Sequence, residues 1–162
     1  MDWQQFEVMT GDATGVPPVL DKLLHGSRSE REEAFRGLEG RVVNQGDLFG
    51  SAVGVTEVIL AELRLKKYIH EDAWLMLHEI YRGSSYGRSI VVDGEPRDVG
   101  DHCRRLILEA LPVIDEAMRP LDGEDFAYAA FLLGDIGEDS DQASLFWSVR
   151  WRTPVVLGLT PP

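Results

Sequence analysis

Cysteine is nearly absent. Cys103 is the only one among 162 residues, which excludes an intramolecular disulfide and a thiolate metal cluster within one chain, and fits a reducing cytoplasm. Long apolar runs are missing too. No uninterrupted stretch approaches the roughly 18 residues that a membrane helix needs, and Met1-Asp2-Trp3-Gln4-Gln5 carries neither the positive segment nor the apolar run of a secretory leader. No membrane partner is expected. Positive charge is scarce: 16 Lys and Arg stand against 28 Asp and Glu, for a formal charge of −12. General affinity for phosphate backbones depends on clustered cations, so nucleic acid is not an expected partner either.

Catalytic constellations are equally thin. The four histidines His25, His70, His78 and His102 include no His-Glu-x-x-His, and His70 and His78 are too far apart for a one-turn metal pair. The glycine–serine stretch Gly83-Ser84-Ser85-Tyr86-Gly87 lacks the Gly-Lys-Ser/Thr ending of a phosphate-binding loop. Asp98, Asp101 and His102 read as the first turn of a helix with a surface histidine, its carboxylates favoured by the helix dipole. Cys103 lies on an apolar helical stripe and reads as a buried structural thiol. The expectation is therefore no catalytic residue, no metal and no cofactor.

What is present is helical periodicity. Pro17-Pro18-Val19-Leu20-Asp21-Lys22-Leu23-Leu24 opens with prolines suited to a first turn and repeats its apolar pairs one turn apart. His25-Gly26 ends it. Ser29 followed by Glu32 has the spacing of a capping box for a second helix bearing Ala34, Phe35, Leu38 and Val42, with Asn44-Gln45-Gly46 as its stop. In the next segment Ala52, Val55, Ile59 and Leu63 line one face while Val53, Val58 and Leu60 keep the other apolar, the pattern of a helix covered on two sides. Glu71 to Arg82 supplies its antiparallel mate. Residues 83–97 break the period, and Asp93-Gly94 favours a tight hairpin turn, although Pro96 stands in the returning arm. Val99 to Ala110 is helical again, and Pro112 restarts the helix.

The stretch Pro112-Val113-Ile114-Asp115 echoes Pro18-Val19-Leu20-Asp21, a separation of two repeats of about 47 residues, at the upper end of the HEAT/armadillo period. The order of a Pro-led Leu-Leu helix, Arg31-x-x-Ala34, Asn44-Gln45-Gly46 and Val55 to Leu63 resembles bacterial HEAT-like repeat proteins. Many of those end the first hairpin in His-Gln-Gly-Thr; here Asn44-Gln45-Gly46-Asp47 matches at two of the four positions. The likeness covers roughly residues 17–136. It implies an interaction module, and some members of that group resemble immunity proteins encoded beside bacterial toxins.

The combined expectation is an all-α protein: one domain built as a short right-handed stack of antiparallel helical hairpins at about 17–44, 48–82 and 98–136. A loop or ribbon insertion at 83–97 and a C-terminal cap at 140–162 complete it. The expected activity is non-enzymatic binding of another protein with a basic surface, with toxin neutralisation as its sharpest form. Charge points to where. From Asp115 to Asp141 there are nine acidic residues and one basic residue, Arg119, which leaves only −4 for the rest of the chain. The candidate contact residues are Asp122, Glu124 and Asp125 at one turn, Glu138, Asp139 and Asp141 at the next, and Trp151 between two arginines. Two other classes stay open: a self-associating structural subunit, and an enzyme on a HEAT-like scaffold acting on nucleic acid, as certain DNA glycosylases do.

Overall fold

A computed structural model of the chain describes residues 2–9, 11–65 and 67–139. The expected cap at 140–162, with Asp141 and Trp151, lies outside the described residues. The chain divides into two compact units, residues 1–132 and 133–162. Helix dominates: seven α-helices and two antiparallel two-stranded ribbons occur among the described residues.

The first hairpin forms where periodicity places it. Helix α1 (Val16–His25) carries prolines in its first turn and buries Leu20, Leu23 and Leu24. Helix α2 (Arg28–Glu39) buries Arg31, Ala34 and Leu38 and packs along α1. The capping box falls two residues earlier than expected. Ser27 donates its backbone N–H (2.9 Å) and its hydroxyl (2.7 Å) to the Glu30 carboxylate. Only Gly26 and Ser27 separate the helices, so the second must begin at once. Ser29 is then already helical, and Glu32 instead pairs with Arg28 at 3.3 Å.

Asn44-Gln45-Gly46 is a hairpin, not a helix stop. Helix α2 has already ended at Glu39, and strands β1 (Val43–Asn44) and β2 (Asp47–Leu48) pair around Gln45-Gly46. Both turn residues have positive φ, 52° and 87°, the requirement of the primed turn that matches strand twist. Helix α3 (Ser51–Arg64) follows and is covered on both faces as read: Ala52, Val53, Val55, Ile59, Leu60 and Leu63 are all buried. It contacts α1, α4 (Glu71–Arg82), α5 (Val99–Glu109) and α6 (Leu111–Met118). Trp74 of α4 is the largest fully buried side chain among the described residues. Cys103 of α5 is buried as expected, and burial pushes its thiol up to about 12, which leaves it protonated and inert. Helix α7 (Gly123–Asp139) crosses the boundary between the units.

The insertion does form a ribbon, with β3 (Ser89–Val92) and β4 (Glu95–Asp98) pairing around Asp93-Gly94. Its approach, residues 83–88, is held to the body and is not a loose loop. Ser84 donates its N–H to Gly46 O (2.8 Å), and its C=O accepts from Leu48 N–H (2.9 Å), so it adds a parallel bridge to the first ribbon. Arg104 of α5 donates to Gly83 O (3.1 Å). Arg88 donates to Leu48 O and Ser85 O and lies 4.4 Å over the Phe49 ring.

Gly83 makes this closeness possible. A Cβ there would stand 2.6 Å from both Cγ and Cδ2 of Leu48, which is fully buried and has nowhere to retreat. Gly83→Ala is expected to cost about 1–3 kcal/mol, the usual range for overpacking, read as a lower denaturation midpoint with unchanged slope. A neutral substitution would mean that this contact does not hold the segment.

Candidate functional site

Two regions carry polar or apolar groups beyond what packing needs. The first lies around the predicted acidic turn. Asp122 and Glu124 are exposed, and Glu124 reaches Arg28 at 3.5 Å, both side chains well solvated. Such a pair contributes little to stability. Asp125 behaves differently: it is half-buried and accepts a hydrogen bond from the Tyr68 hydroxyl. Beside it, Arg31, only 7% exposed, donates to Glu71 (3.3 Å), Asp72 (3.2 Å) and the Gly26 carbonyl (3.2 Å), tying the first hairpin to the start of α4. Removing one partner from a buried ion cluster costs about 3–5 kcal/mol, because a charge is left uncompensated. Asp125 therefore belongs to an internal network, while Asp122 and Glu124 face water.

Electrostatics within this network follow from geometry. Burial opposes ionisation of Glu71, but its own backbone N–H, Arg31 and a hydrogen bond shared with Asp125 together hold its carboxyl below the usual range. Burial wins at Asp72, whose carboxyl is raised despite Arg31, with the Glu71 charge adding to the rise. His70, Glu71 and Asp125 place potential metal-ligand atoms within 4.8 Å of one another. Tyr68 already occupies one Asp125 oxygen and Arg31 one Glu71 oxygen. Nothing local in sequence announces this grouping, since Tyr68 and Asp125 are 57 residues apart.

The second region surrounds the β3–β4 ribbon. Tyr86 and Val91 are 74% and 75% exposed, among the most exposed large apolar side chains described. Asp98 caps α5 by accepting from Asp101 N–H (3.0 Å) and also accepts from the Ser85 hydroxyl; these two bonds hold its carboxyl below the usual range. The expected first-turn arrangement of Asp98 and Asp101 is present, but His102 is buried instead of lying on the surface. Burial first, then Arg105 and Arg97, depress its basicity, so it is neutral at neutral pH.

A groove of about 740 Å³ runs between β3, the N-terminal segment and α3, lined by Phe6, Glu7, Val53, Glu57, Ile90 and Val92 among others. Its N-terminal wall is fixed where Ser51 N–H donates to Glu7 O (3.0 Å). A smaller cavity of about 270 Å³ lies beside Trp74, Tyr68 and Pro120.

The remaining predicted contacts divide. Glu138 is exposed; the Asp139 side chain, Asp141 and Trp151 lie outside what is described. Sequence reading missed Tyr68, Ser84, Ser85, Arg88 and the groove residues Phe6, Glu7 and Glu57. A usable signal existed for part of this: Gln45-Gly46, Tyr86-Gly87 and Asp93-Gly94 are three X-Gly pairs, and all take positive φ at both residues. No protein-family model, curated protein or solved structure matches this chain.

Tyr68 offers a direct readout of the network. The Asp125 hydrogen bond, aided by burial and by the neighbouring carboxylates, raises its phenol from 10.0 to about 12. The folded state thus holds this proton more tightly than the unfolded chain, so the bond stabilises below the unfolded value and is lost as pH climbs from 10 through 12. Ultraviolet titration should show a phenol ionising well after its usual range, and Tyr68→Phe should reduce that late step by one tyrosine. A single early titration of all the phenols would contradict the arrangement.

Proposed function

We propose that the chain is a non-enzymatic protein-binding module whose partner presents a basic surface, with neutralisation of a cognate bacterial toxin as its sharpest form. The observation that carries this reading is the pair Tyr86 and Val91, roughly three-quarters exposed on a segment tied to the body through Ser84, Gly83 and Arg88. Large apolar side chains held out to water on a fixed backbone cost little further ordering when a partner covers them, and aromatic residues are favoured anchors of interfaces. The charge of −12 sets the sign of the partner.

A HEAT-like solenoid, a short right-handed stack, is part of the same proposal. It is supported by next-but-one packing: α1 on α3, α2 on α4 and α3 on α5, the neighbour pattern of stacked helical hairpins. A cytoplasmic location goes with it, supported by the single buried thiol. In this reading Asp122, Glu124 and Glu138 supply the exposed part of the acidic surface, joined by Asp139, Asp141 and Trp151. Asp125 is already engaged by Tyr68.

The test is capture of a partner on the immobilised full chain, followed by association kinetics across ionic strength. The association rate is expected to fall several-fold as salt shortens the Debye length from about 30 Å to about 8 Å. Replacing Asp122 with Asn and Glu124 and Glu138 with Gln should slow association further while leaving the melting temperature unchanged. Failure to capture any protein would overturn the reading. A rate indifferent to salt and to these substitutions would reduce the acidic surface to a solvated face.

A further inference from the structure

The register of the β3–β4 ribbon determines which backbone groups point outward. Val92↔Glu95 closes the two-residue turn, so this pair exchanges hydrogen bonds, and exchange then alternates: Val91↔Pro96 none, Ile90↔Arg97 both, Ser89↔Asp98 none. The next pair confirms the alternation, because Val99 N–H donates to Arg88 O at 3.1 Å. Pro96, which has no N–H to give, therefore sits where its partner asks for none, which explains how a proline is accommodated in the returning arm.

The same alternation makes the two outer edges unequal. On β4 the outward position nearest the turn is Pro96, which blunts that edge as prolines on edge strands do. On β3 the outward N–H and C=O groups belong to Ser89 and Val91, and none of them has a hydrogen-bond partner among the described residues. An exposed strand edge with unpaired groups is a template for one more strand.

The groove lies along this open edge and not along the blunted one. Its wall includes all four residues of β3 and none of β4. Its floor is α3, through Val53 and Glu57, and its far wall is Phe6 and Glu7. The volume of about 740 Å³ falls within the roughly 300–1,000 Å³ of ligand-sized clefts, and four strand residues give an edge of roughly 13 Å. The fixed charges in it are the carboxylates Glu7 and Glu57; His102, which also lines it, is neutral. The surface is thus largely apolar and carries two carboxylates, beside an unpaired backbone.

We propose that β3 is a strand-addition site: an extended segment of the partner, mixing apolar and basic residues, pairs with Ser89 and Val91 and sets alternate side chains into the groove. Main-chain bonds supply affinity and the groove supplies selection, the usual division in recognition by strand addition. Apolar side chains meet Phe6, Val53 and Ile90, and basic ones meet Glu7 and Glu57. This rests on the protein-binding reading and names the surface and the kind of segment bound.

The probe is a synthetic peptide of repeating Val-Thr-Lys-Thr, whose groove-facing side alternates apolar and basic groups. A Glu-for-Lys version and a Pro-for-Thr version serve as controls. With the full chain, amide shifts and exchange protection are expected at Ser89 and Val91, and the Lys peptide should bind at least tenfold tighter than either control. Val91→Pro removes one outward N–H without touching a ribbon bond and should weaken binding tenfold or more with the ribbon intact. Glu7→Gln with Glu57→Gln should erase the preference for Lys over Glu. Binding with no change at Ser89 or Val91, equal affinity for all peptides, or sedimentation showing that a second copy already occupies the edge would each overturn the proposal. A captured partner whose footprint falls on Asp122, Glu124 and Glu138 while Ser89 and Val91 stay untouched sinks strand addition and leaves the binding reading standing. The absence of any protein partner sinks the binding reading itself.

Discussion

Ser84 is bonded on both sides into the first ribbon, giving its N–H to Gly46 O and receiving Leu48 N–H, and the presentation of the β3–β4 ribbon depends on that bridge. Without it, residues 83–88, rich in glycine and serine, would have a large conformational entropy to lose. With it, the exit of α4 is locked to β2, Gly83 is pressed on Leu48, and the β3–β4 ribbon leaves the body in one direction. Arg88 and Arg104 add donors from either side. Five backbone or side-chain bonds thus convert a loop composition into a fixed support.

Arg31 plays the corresponding part where the first hairpin meets α4. Its guanidinium joins the α1–α2 connection, through Gly26 O, to Glu71 and Asp72 in the first turn of α4. Carboxylates at a helix start are favourable on their own; here they also neutralise a buried cation that would otherwise be costly. The network continues through Asp125 to Tyr68. Part of the negative charge that sequence assigns to a contact surface is therefore used to join elements within the fold.

The helices were legible because their signals are local. Prolines at Pro17, Pro18 and Pro112, the two-sided apolar pattern of Ala52 to Leu63 and the acidic start at Glu71-Asp72 each specify an element within one or two turns, and each appears where expected. The capping box slipped by two residues because Ser27/Glu30 and Ser29/Glu32 both have the spacing, and only the shortness of the connection decides between them. Gln45-Gly46 was readable as a stop and not as a hairpin, since its partner strands are two residues long and carry no alternation. The candidate site was less legible for a different reason. Tyr68–Asp125, Arg31–Asp72 and Leu48–Ser84 join residues dozens of positions apart, and tertiary pairing of that kind leaves no trace in periodicity or composition. The open edge of β3 needed the register itself, which depends on where the Asp93-Gly94 turn falls.

An anchored base carrying an unpaired edge makes opposite demands on neighbouring amides, so residue-resolved hydrogen exchange on the free chain tests it most directly. Leu48 and Ser84 N–H, whose bonds hold the segment, should exchange as slowly as buried amides of α3 such as Ile59. Ser89 and Val91 N–H, which point away from β4, should exchange fast. Uniformly fast exchange from Gly83 to Asp98, with Leu48 unprotected, would show a flexible arm and contradict the account; uniform protection that includes Ser89 and Val91 would show that the edge is already covered.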